Sequence, residues 1–344
     1  MKEENSGITK SSATFFYAAI TIFVMVLLAY SMFFRKNADS VTYRKDLMGT
    51  VVELTLFEGD RLRFDLAAER AFEEIKRLQE IFSSYSPDSE AAKITKAAGQ
   101  GAVNVSPEML ELMTASLKVS ALSNGAFDPT IGALGILWGY SGESGNVPEK
   151  GALTKALKLV NYRLVETDTK NSTVALKNTG MVLNLGGIAK GFVVGKTAEV
   201  LKANGVERAI VKAGGDMAFV QTVPEQKSFI IGIQDPRVKG KLIGEAHVTG
   251  GAISTSGDYE RFFVKDGKRF NHILDPKTGM PALRTRSATV IADDGAVADG
   301  LSTAFFVLGA DDGVLLAEKI GVEAIIMDSR GRVKTTKGFK GKIY

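Results

Sequence analysis

Two oxygen-bearing side chains near the C-terminus have a spacing that suits a metal ion. Asp299 and Thr303 are four residues apart, so in a helix they would share one face. A carboxylate and a hydroxyl are hard oxygen donors of the kind that Mg²⁺ binds, together with water and substrate phosphates. The same spacing is also typical of a solvated helix face or a helix cap, and spacing alone leaves both interpretations open.

A turn-rich segment, residues 271–281, precedes this pair and contains His272. Its proline residues fix φ, and its glycine permits the backbone conformations that a tight loop needs. An imidazole titrates near neutral pH, so His272 is a candidate general base. The alternative is a structural histidine, hydrogen-bonded beside the turn.

Residues 181–205 combine an apolar run with a glycine-rich turn. Val182–Leu185 is typical of a strand, and the turn from Gly186 to Gly191 leads into a helix that ends near Ala203. The first backbone N–H groups and the dipole of a helix favour an anion such as phosphate. The spacing matches neither the dinucleotide-binding glycine motif nor the P-loop. The two adjacent glycines are equally well explained by close packing of strand and helix.

Composition excludes several classes of protein. The 344 residues are 45% hydrophobic, enough for one large or two ordinary domains with a core. Opposite charges are spread along the chain, 43 basic against 39 acidic, which argues against a nucleic-acid surface. The chain has no cysteine, which rules out disulfides, thiolate chemistry and a lipoprotein anchor. With only His247 and His272, a histidine-rich zinc site is also disfavoured.

The N-terminal region predicts a membrane anchor. Residues 13–34 contain no charge and are long enough to cross a bilayer as a helix. They lack the short core and small-residue cleavage site of a secretory signal, so we interpret them as an uncleaved signal-anchor. A polar segment, 1–12, precedes the run, and a linker, 35–46, joins it to a catalytic domain at 47–344. Basic residues flank the run on both sides, and the positive-inside rule by itself would place that domain in the cytoplasm.

Hydrophobic patterns predict a mixed fold. Alternation over Val51–Phe57 is typical of a half-buried strand, and helical spacing over Leu66–Phe82 predicts an amphipathic helix. Ser106 and Pro107 are typical of a helix start, and this helix would run to about Leu122. Arg208–Lys212 predicts another strand. Strands and helices mixed with 36 glycines favour an α+β domain with tight turns over a doubly wound sheet.

Seven short motifs, in order along residues 48–309, resemble those of ApbE-type flavin transferases. They are Met48-Gly49-Thr50, Gly125 to Asp128, Asn184 to Gly191, Ala213 to Asp216, Thr255 to Tyr259, His272 to Gly279 and Asp299 to Thr303. The resemblance implies a single compact α+β domain related to the T-fold, and dependence on Mg²⁺. It also implies a single-pass protein of the bacterial inner membrane whose catalytic domain faces the periplasm, against the charge rule.

The same resemblance assigns roles to individual residues. Asp299, Thr303 and the backbone carbonyl of Gly187 would bind the metal, and His272 and Asp299 would be catalytic. The FAD pocket would be lined by Met48, Tyr85, Ala126, Phe127, Asp128, Asn184, Lys190, Thr255 and Ile273. The family often has Asp at position 184, where this chain has Asn, and often a hydroxyl residue at position 187. A lysine at a helix start, such as Lys190, is otherwise an ordinary solvated residue.

The implied activity is Mg²⁺-dependent transfer of FMN from FAD to a Thr or Ser hydroxyl of an acceptor protein, with release of AMP. The acceptor would be a flavoprotein subunit of a membrane redox complex. Two alternatives stay open at this point. Water could take the place of the hydroxyl, which would make the protein an FAD pyrophosphatase. The chain could also be a tethered FAD-binding module without turnover.

Overall fold

A computed structural model describes residues 38–84, 86–140, 145–223 and 227–344. Within these ranges, no helix has both the length and the apolar character needed to cross a bilayer. The polar segment 1–12 and the predicted anchor 13–34 lie outside the described residues.

The described chain contains helices and strands in a mixed order. The helices are α1 (Arg61–Phe82), α2 (Glu90–Lys96), α3 (Pro107–Leu122), α4 (Gly132–Trp138), α5 (Lys150–Leu157), α6 (Ala189–Ala203), α7 (Gly295–Leu308) and α8 (Ala310–Ile320). The strands before α6 are β1 (Ala38–Leu47), β2 (Thr50–Gly59), β3 (Val103–Asn104), β4 (Val165–Asp168) and β5 (Thr173–Leu176). The later strands are β6 (Arg208–Ala213), β7 (Asp216–Gln221), β8 (Phe229–Gln234), β9 (Leu242–Val248), β10 (Gly251–Gly257), β11 (Phe262–Lys265), β12 (Lys268–Asn271), β13 (Thr285–Ala292), β14 (Glu323–Asp328), β15 (Val333–Thr335) and β16 (Gly341–Ile343).

One large sheet organises the molecule. Its eight strands lie in the order β1-β2-β6-β7-β10-β13-β14-β15, and neighbours are antiparallel. Smaller sheets have the orders β16-β9-β8, β3-β5-β4 and β11-β12. An antiparallel sheet accompanied by helices is the α+β arrangement that the sequence predicts.

The two faces of the large sheet are covered by different layers. Ala218 and Val220 of β7 belong to the main core with the helices, whereas Phe219 between them packs with β8 and β9. In β14, Ile326 faces the helices, and Ile325 faces the β16-β9-β8 sheet. Side chains alternate along a strand, so the large sheet has helices on one face and the β16-β9-β8 sheet on the other. The candidate site lies on the helical face.

Local sequence signals explain where the main helices begin. The Asp60 side chain accepts from the N–H of Arg63 and caps α1, and Ser106 accepts from the N–H of Met109 and caps α3, with Pro107 in the first turn. Asp294 accepts from the N–H of Val297 and caps α7. These are the short acceptor side chains that leave the first backbone N–H groups of a helix satisfied.

Most predicted elements are confirmed, and two segments differ. The strand at 51–57, the helices ending at Phe82 and Leu122, the helix ending at Ala203 and the strand from Arg208 are all present. The predicted linker 35–46 is wrong for its described part, because residues from Ala38 onward form β1 and pair with β2. The predicted strand 182–185 makes only an isolated bridge, between Val182 and Ile131.

Candidate active site

The site is built where α6 and α7 cross at close range. A Cβ atom at Gly191 would lie 2.1 Å from the carbonyl oxygen of Gly295, and one at Gly295 would lie 2.2 Å from the carbonyl oxygen of Gly191. Neither backbone could approach so closely with a larger residue. This contact sets the side chain of Asp299 against the N-terminus of α6.

Asp299 is buried, with 3% of its surface exposed. Its Oδ2 accepts from the N–H of Gly191 at 2.9 Å, which satisfies the start of α6, where Ile188 provides no side-chain cap. Burial raises the pKa of Asp299 to about 7; the charge of Asp216 adds to the rise, and that of Lys190 opposes it. Asp299 is therefore both a helix cap and a carboxylate in need of positive charge.

Thr303 lies one turn further along α7 and faces the backbone of Gly187. Its hydroxyl donates to the Gly187 carbonyl at 3.4 Å, which is long for a bond between oxygens. A Cβ atom at Gly187 would lie 2.9 Å from the same hydroxyl, so glycine keeps this approach open. The pair at positions 299 and 303 does share one helix face in α7.

These oxygens match the donor set of a hard cation. Among the described residues, no three His, Cys, Asp or Glu side chains converge on one metal position, so a classical all-carboxylate or histidine site is absent there. Asp299, Thr303 and the Gly187 carbonyl instead offer one carboxylate, one hydroxyl and one carbonyl oxygen. Mg²⁺ accepts such a sparse set because it keeps water and substrate phosphates as its other ligands.

A buried polar network supports Thr303 from the sheet. The hydroxyl of Ser254 donates to Asp216, which is 1% exposed. The hydroxyls of Ser254 and Ser302 are 3.4 Å apart, those of Ser256 and Ser302 are 2.8 Å apart, and those of Ser256 and Thr303 are 3.2 Å apart. A continuous chain of polar groups thus joins Asp216 to Thr303.

Sequence reasoning gave no role to this network, although it singled out the motifs containing Asp216 and Ser256. One signal was present: Ser254 and Ser256 are two residues apart in a strand, so they face the same side of the sheet. That side is the one on which α7 packs. The identity of the partners depends on the crossing of α7 over β10, which local sequence does not encode.

Lys190 brings a positive charge to the same place. Its side chain is 35% exposed and forms an ion pair with Asp216. Burial works against the charged form, but the charges of Asp216 and Asp299 raise the pKa of Lys190 above its ordinary value. With both carboxylates ionised, these three side chains carry a net charge of −1, and a divalent cation would make the site positive toward phosphate.

His272 lies beyond β12 and is partly buried. Its Nδ1 is 3.1 Å from the carbonyl oxygen of Arg261. A carbonyl only accepts, so this contact assigns the proton to Nδ1 and leaves the lone pair on Nε2. Burial is the main cause that lowers the pKa of His272 to about 4; the hydrogen bond to the Arg261 carbonyl opposes the fall, and the charges of Arg261 and Lys190 contribute to it. The ring is therefore neutral at pH 7, as a proton acceptor must be. No hydrogen bond connects His272 with Asp299 or Thr303 among the described residues.

Four of the residues assigned to FAD belong to one pair of loops. Ala126, Phe127 and Asp128 are buried, and the N–H of Asn184 donates to the Pro129 carbonyl at 2.8 Å, which joins the two loops. The Asp128 carboxylate accepts from the N–H and hydroxyl of Thr130 and from the N–H of Tyr162. Burial raises the pKa of Asp128, although these hydrogen bonds oppose the rise. Asp128 therefore shapes its own loop.

The remaining assigned residues are placed differently. Met48 adopts a left-handed φ of 54° in the turn between β1 and β2, and its N–H donates to the Gln79 side chain at 2.6 Å. Ile273 is buried beside His272. The Thr255 side chain faces Thr289, 2.9 Å away, on the side of β10 opposite Ser254 and Ser256. Tyr85 lies outside the described residues.

Comparison with known proteins identifies the family. The model of the ApbE family matches residues 48–326. An FAD:protein FMN transferase of Klebsiella pneumoniae is 34% identical over 83% of this chain and 88% of its own. One from Treponema pallidum is 34% identical over 80% and 81%.

Solved structures show the same fold. The ApbE protein of Thermotoga maritima is 35% identical and superposes with a TM-score of 0.80, covering 87% of this chain and 97% of its own. The flavinyl transferase ApbE of Pseudomonas stutzeri, in its apo form, is 28% identical with a TM-score of 0.75, covering 87% and 95%. The chain belongs to the ApbE family.

Proposed function

We propose that this protein is an FAD:protein FMN transferase that uses Mg²⁺ to move FMN from FAD to a Ser or Thr hydroxyl of an acceptor protein, with release of AMP. The observation that carries the proposal is the convergence of Asp299, Thr303 and the Gly187 carbonyl at the crossing of α6 and α7. The names of the relatives support the same activity.

The residues divide the work of a phosphoryl transfer. Asp299, Thr303 and the Gly187 carbonyl would hold the cation, which supplies positive charge at the FAD diphosphate. The polar chain from Asp216 to Thr303 fixes the threonine rotamer, so the donor oxygens are preorganised. Lys190, held by Asp216, adds a second positive group beside them.

The transfer needs no reactant other than FAD and the acceptor hydroxyl. The acceptor hydroxyl oxygen forms a bond to the FMN phosphorus, and the bond from that phosphorus to the oxygen shared with AMP breaks. Nε2 of His272 takes the hydroxyl proton, because its Nδ1 is already bonded to Arg261. AMP leaves with the former bridging oxygen.

FAD with radioactive phosphorus in either the FMN or the AMP phosphate separates this activity from its alternatives. We expect the FMN label, but not the AMP label, to appear on membrane proteins of the source cells after incubation with the full chain and Mg²⁺. Release of both labels as free FMN and AMP would show a pyrophosphatase. Intact FAD with both labels would show a binding module. Either of these two outcomes would contradict the proposal.

We also propose that the protein is anchored in the bacterial inner membrane, that its T-fold-related catalytic domain faces the periplasm, and that its acceptor belongs to a membrane redox complex. The apolar run at residues 13–34 supports the anchor. Protease added to intact spheroplasts should degrade the catalytic domain and leave a cytoplasmic control protein intact. Protection of the domain until the membrane is lysed would place it in the cytoplasm.

A further inference from the structure

The hairpin formed by β11 and β12 has two unlike faces. Phe263 and Phe270 are directly paired, with ring centroids 5.2 Å apart, and pack on Trp138. Phe262 and Val264 alternate with them and are 42% and 62% exposed. Large apolar residues exposed on a hairpin whose other face is packed are typical of an interaction surface.

The hairpin is also basic. Residues 261–270 contain four basic side chains and one acidic side chain, a net charge of +3 within a chain of net +4. Arg269 lies over the Phe262 ring at 3.6 Å and is 4.0 Å from Asp258. Lys265 and Lys268 pair next to the turn, on the side of Phe263 and Phe270. Both are exposed and form no ion pair with any described residue. The surface is therefore suited to an acidic partner with apolar residues.

The hairpin leads directly to the candidate base. Both the backbone N–H and the ring of His272 contact the Arg261 carbonyl, so the pairing of the two strands continues to the histidine. Within the described chain, neither β11 nor β12 pairs with a third strand, so each has one edge without a strand partner. Arg269 is three residues from His272, a distance of roughly 10 Å along a strand.

We infer that the β11–β12 hairpin binds the acceptor protein through an extended acidic segment and thereby delivers the acceptor hydroxyl to His272. This inference rests on the proposed function. Open strand edges bind extended segments through backbone hydrogen bonds, and alternate side chains give specificity. Here Phe262 and Val264 would contact apolar side chains a few residues from the hydroxyl. Lys265, Lys268 and Arg269 would contact acidic ones.

The test uses the full chain in detergent and two pools of fluorescein-labelled peptides with a central Thr. One pool has Val, Phe, Gly, Asp and Glu at the flanking positions, and the other has Lys and Arg in place of the acids. Fluorescence anisotropy should show about tenfold tighter binding of the acidic pool at low salt. The double variant Lys265→Glu, Lys268→Glu should lose this preference.

The control carries the same charge change at the other end of the large sheet. Lys319 and Lys337 are exposed near the start of β14. There, Glu323 pairs with Ile291 at one end of β13. The hairpin lies toward the opposite end of β13, because it follows the end of β10 that pairs with Ser287. Lys319→Glu with Lys337→Glu should keep the peptide preference.

Several results would overturn the inference. They are equal binding of the two pools, no binding of either pool, an equal loss of preference in the control, or a changed affinity for FAD in the hairpin variant. Loss of binding to phosphatidylglycerol vesicles with the peptide preference intact would show a membrane contact instead. Peptide binding is measured without transfer, so absence of FMN attachment in the labelling experiment would contradict the proposed function alone.

Discussion

The ring Nδ1 of His272 lies 3.1 Å from the carbonyl oxygen of Arg261, which also accepts from the backbone N–H of His272. Arg261, the residue immediately before β11, thus fixes the tautomer of the candidate base. Because Nδ1 donates its proton to the Arg261 carbonyl, Nε2 is the ring nitrogen that can accept a proton. The orientation of the His272 ring therefore depends on the start of the hairpin.

Replacing His272 by Asn separates its two roles. The Asn side-chain amide can still donate to the Arg261 carbonyl, but it has no basic nitrogen. If His272 is the base, we expect His272→Asn to lower the rate of FMN transfer by roughly 10² to 10⁴ with unchanged affinity for FAD. Single-turnover rates and quenching of FAD fluorescence measure the two quantities. A variant with nearly normal transfer would leave the histidine a purely structural role.

Stability should depend on pH through His272. The pKa of His272 is lowered from 6.5 to about 4 in the folded protein, so the unfolded state binds the extra proton between these values. The contribution of His272 to stability is complete above pH 6.5 and is lost as the pH falls toward 4, by up to about 3 kcal/mol. Partial exposure of the ring should reduce this value.

A difference measurement isolates the histidine, because Asp299 titrates in the opposite sense. The pKa of Asp299 is raised to about 7, so its folded state binds the extra proton over the same range, and its contribution falls as pH rises. Urea unfolding in EDTA gives the unfolding free energy of the unmodified protein and of His272→Asn. The value for the unmodified protein minus that for the variant should fall as the pH falls from 6.5 to 4. A constant difference would mean that the ring is not desolvated.

The crossing of α6 and α7 gives a matched pair of glycine substitutions. Gly191→Ala would place a Cβ atom 2.1 Å from the Gly295 carbonyl and 2.5 Å from the Asp299 Cβ, so we expect a loss of about 1–3 kcal/mol or more. Gly195→Ala, one turn later, meets its first neighbour at 3.9 Å. It should be neutral or stabilise by up to about 1 kcal/mol through helix propensity. Equal effects in denaturant unfolding would contradict the close approach.

Tyr140 supports the loop that carries the candidate base. Its hydroxyl donates to the Asn271 carbonyl at 2.6 Å, and burial raises the pKa of Tyr140. Tyr140→Phe should cost about 1 kcal/mol of unfolding free energy and slow transfer modestly, because Asn271 adjoins His272. Tyr43→Phe, which removes the exposed 2.5 Å bond to Asp65, should cost less. A larger loss of unfolding free energy in Tyr43→Phe than in Tyr140→Phe would contradict the expectation that the more buried hydrogen bond contributes more to stability.

Sequence alone located the parts of the site that depend on local spacing. The helical relation of Asp299 to Thr303, the cap at Ser106 and the turn from Asp275 to Gly279 all follow from nearby residues. The resemblance supplied Gly187, whose role depends on a backbone oxygen that no side-chain pattern reveals. Its assignment as a metal ligand stays a prediction.

Other features depend on contacts between distant segments. β1 was interpreted as a linker because it is an edge strand in which Val41 is buried between exposed polar neighbours, so its alternation is weak. In residues 182–185, Leu183 and Leu185 are buried, which accounts for the apolar pattern, but the segment pairs only through Val182. The capping of α6 by Asp299 was not predicted, since it joins two helices more than a hundred residues apart.

The most direct test of the central claim is the Mg²⁺ dependence of FMN transfer in the protein, in Asp299→Asn and in Thr303→Val. Asn can still accept from the Gly191 N–H and cap α6, so this variant removes the charge with little effect on the fold. We predict that both variants need a much higher Mg²⁺ concentration for half-maximal transfer, and that Mg²⁺ raises the melting temperature of the unmodified protein but not of Asp299→Asn. Identical Mg²⁺ dependence in all three proteins would contradict a cation held between Asp299, Thr303 and the Gly187 carbonyl.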